Sequence, residues 1–168
     1  MKTQADYRAL GLRARFALAI RIVETWCSSH ELNWSGRDAF FDLLWQLPTL
    51  DDLADWDARV QQDKSVSFGL GFDCPDDLFS AIQGCGLVEA DVHRLFESAL
   101  EIAYGSLYAA TDDLGSLEFL LRVLELSGHS FCDVTDFECC RFVDAWGWGY
   151  TVSRQTRDQW RFHSILQP

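Results

Sequence analysis

Apolar side chains recur at helical spacing through the first 27 residues, and they cover more than one face. Tyr7, Leu10, Ala14, Ala17 and Leu18 align on one side, while Leu12, Phe16, Ala19, Ile20 and Val23 widen the stripe. A helix this apolar cannot leave a whole side in water, so it belongs inside a packed body of other elements. The spacing predicts one long helix, from the capping-box sequence Thr3-Gln4-Ala5-Asp6 to about Cys27.

The same reading continues along the chain. Ser35-Gly36-Arg37-Asp38 has the form of a second capping box ahead of Phe40, Phe41, Leu43, Leu44 and Leu47, and Pro48 ends that helix. Thr49 is placed to cap a third, in which Leu50, Leu53, Trp56 and Val60 face inward and Asp51, Asp52 and Asp55 face solvent. Residues 65–72 alternate small with apolar side chains, the strand period, and are expected to form an extended loop or edge strand weakened by its glycines. Pro75 suits the first position of a short fourth helix carrying Leu78, Phe79 and Ile82, which closes near Gly84 and Gly86.

Val92, Leu95, Phe96, Ala99, Ile102, Ala103 and Leu107 mark a second long helix from Glu89 to about Ala110, and Leu117, Leu120, Leu121 and Leu124 another that stops before Gly128. Asp133 or Thr135 can cap a last helix bearing Phe137, Cys140, Val143 and Trp146. Trp146-Gly147-Trp148-Gly149 then breaks the pattern, and residues 150–152 and 160–162 are expected to pair as a hairpin. The expected fold is therefore mainly α, a compact bundle of about seven helices with a small C-terminal β-hairpin. It forms a single globular domain over 1–168, with a helical body over 1–146 and the hairpin ending over 147–168. With 12 Phe, 7 Trp and 4 Tyr, such a body has ample apolar material to bury.

The chain carries 26 acidic and 14 basic side chains, a formal charge of -12, which argues against direct nucleic-acid binding by phosphate neutralisation. The charge is polarised. Residues 1–23 hold five basic and one acidic group, residues 24–149 six basic and 24 acidic, and residues 150–168 three basic and one acidic, so the central segment stands at -18. Asp51, Asp52, Asp76, Asp77, Glu89 and Asp91 fall near expected helix starts, where a carboxylate gains about 0.3 to 1 kcal/mol from the helix dipole. Asp55, Asp57, Glu97, Glu101, Glu125 and Asp144 lie beyond first turns. Glu97 and Glu101 are like charges one helical turn apart, an arrangement that costs about 0.2 to 0.5 kcal/mol. Among the tryptophans, Trp34, Trp45, Trp56, Trp146, Trp148 and Trp160 are candidates for core or interface anchors.

No catalytic constellation emerges from the residue types and their spacing. Nothing resembles a Gly-x-Ser-x-Gly elbow or a cysteine-protease signature, and Gly69-Leu70-Gly71 lacks the third glycine and the lysine of a phosphate cradle. Lys2 and Lys64 are the whole lysine complement, leaving Schiff-base chemistry almost no candidates. Cys27, His30, His129 and Cys132 are ligand types that zinc accepts, but about 100 residues separate the two pairs and neither is a Cys-x-x-Cys knuckle. No catalytic, cofactor-binding or metal residue is assigned. The stretch Phe16 to Val23 is interrupted by Arg21 and fits neither an export signal nor a membrane span, so the expected location is cytoplasmic, away from membranes, with the six cysteines reduced.

Compactness, the absence of an export signal or catalytic motif, and the strongly acidic central segment together resemble a bacterial immunity protein of the polymorphic-toxin or contact-dependent inhibition kind. What this resemblance implies is a non-enzymatic inhibitor that covers the active site of a cognate, basic toxin through an acidic patch with aromatic contacts. The expected partner-binding residues are Asp51, Asp55, Asp57, Glu97, Glu101, Asp112 and Asp113, with Trp56 as the aromatic contact. Two alternatives stand beside it. One is a nucleic-acid mimic that opposes a DNA-binding protein with the same carboxylates, and the other is a small metal-dependent enzyme built on the Cys and His pairs.

Overall fold

A computed structural model describes residues 4–129 and 133–162, and it is mainly helical. The described helices are α1 (Gln4–Ala9), α2 (Leu12–Ser29), α3 (Arg37–Leu44), α4 (Leu53–Val60), α5 (Lys64–Gly69), α6 (Asp76–Gly84), α7 (Glu89–Leu107), α8 (Asp113–Leu126) and α9 (Arg154–Phe162). Helices α2, α7 and α8 pack mutually at the centre, with α1 beside α8, α3 and α9 against α2, and α5 and α6 against α7. Leu12, Phe16, Leu18, Ile22 and Val23 of α2 are all buried, as its broad apolar stripe requires. Phe40, Phe41, Phe68, Phe96 and Trp34 form a connected aromatic cluster with ring centroids 4.9 to 6.2 Å apart.

The expected first helix is in fact two. At the break, Gly11 N–H donates to the Cys140 carbonyl at 2.8 Å, and Leu10 makes an antiparallel bridge with Arg141. A side chain at Gly11 would stand 2.9 Å from Gly149 N and Trp148 O, so only glycine admits this close approach of two backbone segments. Of the two expected capping boxes, Thr3 lies outside the described residues. In the other, Gly36 takes the cap position while the Ser35 hydroxyl donates to Asp77 instead. Asp52 caps α4 by accepting from Ala54 and Asp55 N–H, and Thr49 belongs to a short 3-10 turn, Leu47–Thr49.

Residues 65–72 do not form an extended strand. Asp63 accepts from Ser65 and Val66 N–H and starts α5, and Gly69 lets that helix approach α7 so closely that an added Cβ would meet Leu100 at 2.6 Å. Small residues here serve helix contact, which is why their alternation with apolar ones imitates a strand. The expected helix through Phe137, Cys140, Val143 and Trp146 is also absent. A 3-10 turn, Thr135–Phe137, gives way to turns whose backbone is spent on tertiary bonds, Phe142 N–H donating to Ala9 O and Gly11 N–H to Cys140 O. Phe137 and Cys140 are buried while Val143 and Trp146 are exposed.

No β-hairpin closes the chain among the described residues. Val152 N–H donates to Pro48 O, the Ser153 hydroxyl accepts from Thr156 N–H as a helix cap, and α9 follows. That helix turns Trp160 onto Phe137, ring centroids 4.8 Å apart, and sends Arg161 to Glu24 and Asp42. The polar segment read as a hairpin loop is the solvent face of this helix.

Two arginines of α2 are buried. Arg15, with no exposed surface, donates to the carbonyls of Tyr7, Arg8 and Asp113, to Ser116 Oγ, and to Asp113 Oδ1 at 2.7 Å. All five guanidinium N–H groups are thereby satisfied. Arg13 donates to Leu47 O and Gly149 O. Burial works against the charge of Asp113, but the hydrogen bond and charge of Arg15, joined by Arg8, outweigh it and hold this carboxyl below its ordinary pKa. Burial lowers the Arg15 pKa, but a guanidinium starts so far above neutrality that the group stays charged. Asp113→Ala strands that cation and is expected to lower the unfolding free energy by about 3 kcal/mol in urea titrations at neutral pH. Because the folded pKa lies below the unfolded one, the Asp113 contribution is complete above about pH 4 and fades as pH falls through the folded value. The variant and parent should therefore converge in acid, and equal stability at neutral pH would mean the carbonyls suffice.

Candidate functional site

Residues 97, 101, 104 and 108 are spaced at i, i+4, i+7 and i+11, which puts Glu97, Glu101, Tyr104 and Tyr108 on one stripe at α7 and its C-terminal edge. Helix α4 meets that stripe at Asp57. This carboxylate is only 6% exposed, yet it has no ion-pair partner among the described residues. Its Oδ2 accepts from the Tyr108 hydroxyl and, at 2.8 Å, from Gln61 Nε2. Its Oδ1 and the Tyr104 hydroxyl oxygen are both buried at this corner, and a hydrogen bond between the two side chains registers in the titration of Tyr104. The nearest arginine in sequence, Arg59, is committed to Asp55 at 3.1 Å and to Gln46.

The titration of the surrounding groups registers the same charge. Burial, followed by the hydrogen bond to Asp57 and then by the charge of that carboxylate, raises the Tyr104 pKa. Tyr108 is raised chiefly by the hydrogen bond that it donates to Asp57. Glu101 is raised by burial and then by repulsion from Glu97. Burial leads at Tyr104 and Glu101 and the hydrogen bond leads at Tyr108, with the charges of Asp57 and Glu97 adding to these shifts.

Against this corner lies a cavity of about 420 Å³ lined by Gln61, Ser67, Leu70, Phe72 and Tyr104. Two of these residues, Gln61 and Tyr104, stand directly against Asp57. Phe72 and Tyr108, 70% and 74% exposed, supply aromatic surface around the mouth. The corner thus sets a buried carboxylate behind Gln61 and Tyr104, beside a cavity whose Leu70 and Phe72 surface is apolar and aromatic.

The other residues singled out from the sequence lie elsewhere. Asp51 is exposed and accepts from the Thr151 hydroxyl at 3.2 Å, and Asp55 is exposed in its pair with Arg59. Asp112 caps α8 by accepting from Gly115 N–H, and Asp113 is engaged by Arg15 and Arg8. Trp56 is wholly buried against Phe16 and Tyr104, its indole N–H donating to Leu43 O, so it presents no surface to a partner. Of the tryptophans, Trp146 is the one turned outward, 93% exposed at φ 59°.

Spacing brought Glu97 and Glu101 into view, whereas Tyr104 and Tyr108 were hidden within an apolar helical pattern. Of the possible metal ligands, Cys27 is fully buried, and desolvation pushes its thiol up to about 12. His30 stacks on Trp26 with ring centroids 4.2 Å apart, His129 lies close to its own backbone at Ser127 O, and Cys132 lies outside the described residues. No helix among the described residues is long and apolar enough to cross a membrane. Comparisons with protein-family models, with characterised proteins and with solved structures find no match to this chain.

A raised folded pKa for an acid means that its charged form destabilises the native state. That penalty is complete above the folded pKa and gone below the unfolded one, near the ordinary glutamate value of about 4.3. Glu101→Gln is therefore expected to raise stability at pH 7 by roughly 0.5 kcal/mol, the scale of a like-charge helical pair. Thermal melts at pH 7 and about pH 3.5 should show the gain shrinking in acid. A loss of stability at pH 7 would reveal a hidden cation partner.

Proposed function

We propose that this chain is an inhibitor of the immunity type, which binds a cognate basic toxin and neutralises it by covering its functional surface, without catalysis of its own. The observation that carries the reading is the α4–α7 face, where Glu97, Glu101 and Asp57 make no ion pairs among the described residues and adjoin the exposed rings of Tyr108 and Phe72. Charges placed at a cost to local stability are explained when a binding event uses them. A partner's lysines and arginines would relieve the Glu97–Glu101 repulsion, and the field of the acidic face would speed encounter with a positive surface. Aromatic rings beside such charges provide the apolar area on which interface affinity commonly concentrates.

Co-purification from the native host followed by mass spectrometry would identify the partner. Its association is expected to be fast and salt-sensitive, slowing markedly between about 50 mM and about 500 mM salt as the screening length contracts. Glu97→Lys and Glu101→Lys should each lower the association rate without lowering the melting temperature, since either change also relieves the Glu97–Glu101 repulsion, as read by stopped-flow binding and thermal melts. Association that ignores both salt and charge reversal would reduce the acidic surplus to a solubility device.

A further inference from the structure

A second cleft opens on another side of α7, since helical spacing sets Val92 opposite Glu101. It encloses about 480 Å³ between the C-terminal turns of α2 and α8 and the start of α7. That volume falls within the usual range of ligand clefts, about 300 to 1,000 Å³. Leu87, Val92, Leu95 and Leu126 give it aliphatic walls, Trp26 an aromatic one, and Val88, 61% exposed, adds to them. The carboxylates that line it are Asp91 and Glu125, and no lysine or arginine does so among the described residues.

Helix ends add to that negative charge. A C-terminal turn ordinarily favours a cation, yet α2 and α8 carry no basic residue in theirs, and α8 places Glu125 there instead. The positive end of α7 is met by its own Glu89 and Asp91. Arginines one turn away on the same helices are committed elsewhere, Arg122 over the Phe119 ring and Arg94 in an exposed pair with Asp91. His30 donates its Nδ1–H to the Trp26 carbonyl at 2.9 Å, so the neutral ring keeps Nε2 as an acceptor.

We infer that this cleft is a binding site for a small amphipathic amine, an apolar body that ends in one protonated nitrogen. Both parts of such a molecule find their complement here. The apolar body loses water against the leucines and Trp26, and the ammonium meets Glu125 and the carbonyl ends of α2 and α8. Asp91 can share its second oxygen, because an exposed pair such as that with Arg94 contributes little to the fold. A carboxylate ligand would be repelled by the same groups, and a plain hydrocarbon would leave them unused. A metal ion fits less well, since no group of three metal-ligating side chains occurs among the described residues. The site goes beyond the inhibitor reading and does not depend on it, for it lies off the α4–α7 face and takes a small molecule.

The test titrates the intact, nitrogen-15-labelled chain with hexylamine, hexan-1-ol and hexanoate, which share an aliphatic body and differ in charge. The Trp26 indole N–H and the backbone amides of Leu87, Val88 and Leu126 are expected to shift saturably with hexylamine. Hexanol should bind at least about tenfold more weakly, and hexanoate should leave these signals unmoved. Glu125→Gln keeps the shape of the side chain and removes its charge, so it should weaken the hexylamine response about tenfold. Its melting temperature should hold or rise, because an acid has left a helix C-terminus. Hexanol binding as tight as that of hexylamine would overturn the site, as would a hexylamine response unchanged in Glu125→Gln. Shifts spread evenly over the acidic surface, Glu97 and Glu101 included, would overturn it too, by showing ionic attraction without a pocket. Amine binding by a chain that captures no basic protein would remove the inhibitor reading and leave this site standing.

Discussion

Two guanidinium groups buried along α2 hold the periphery of this protein to its centre. Arg15 meets α1 through the carbonyls of Tyr7 and Arg8, and α8 through Ser116 and both the carbonyl and carboxylate of Asp113. Arg13 reaches Leu47 O on one side and Gly149 O on the other. A charge taken out of water is tolerated only where its donors are all met, so the positions of these carbonyls are dictated by the arginines as much as by local propensity. The ring of Phe142 lies 4.9 Å from the Arg15 cation and that of Trp148 5.7 Å from Arg13. Residues 138–152, which lack regular helix or strand, thereby gain a fixed course across the α1–α2 break.

This arrangement has an electrostatic consequence. The arginines that hold the fold together are committed to carboxylates and carbonyls within the chain, as in Arg8 and Arg15 to Asp113 and Arg161 to Glu24 and Asp42. Surface pairs such as Arg59 with Asp55 and Arg94 with Asp91 use more of a small basic complement, and such pairs contribute little stability in water. The formal charge of -12 is consequently left to carboxylates that have no internal cation, and on the α4–α7 face these sit next to exposed aromatic rings. Net charge at the surface has little say in the choice of fold, but it has a large say in which molecules approach and how fast.

How much of this could be read beforehand followed the range of the forces involved. The long helices α2, α7 and α8 were legible because an apolar stripe at helical spacing is a local signal repeated over several turns. The break at Gly11 was not, because it depends on Gly149 and Trp148, more than 130 residues away in sequence. Helix α5 looked like a strand since Gly69 and Ser65 are small for packing reasons that only α7 and Trp34 reveal. Trp160 looked like a strand residue until Ser153 acted as a cap and Phe137 supplied its stacking partner. For the site, acidity at Glu97, Glu101 and Asp57 could be seen, but the burial of Asp57 and Trp56 and the outward turn of Trp146 could not. A residue's type fixes what it can do, and its neighbours across the fold fix whether solvent or a partner can reach it.

The features that cost stability gather around the connection from α7 to α8. On one side Tyr108 bonds to the unpaired Asp57, and on the other the Thr111 hydroxyl donates to the carbonyl of Trp146. Ala145 and Trp146 both hold positive φ, a conformation that costs a non-glycine residue about 1 to 2 kcal/mol. The strain persists because Gly147 is fitted closely under Thr111 and Phe142, and the preceding indole stands in solvent. A chain shaped by stability alone would have paired Asp57 and relaxed this turn. Exposed aromatic rings, a buried anion and a strained but fixed loop thus share one corner of the molecule, whose ordering is complete in the free chain. For the inhibitor role proposed above, such a corner would lower the cost of reorganisation on contact, which is how local strain and fast association could be served by one arrangement.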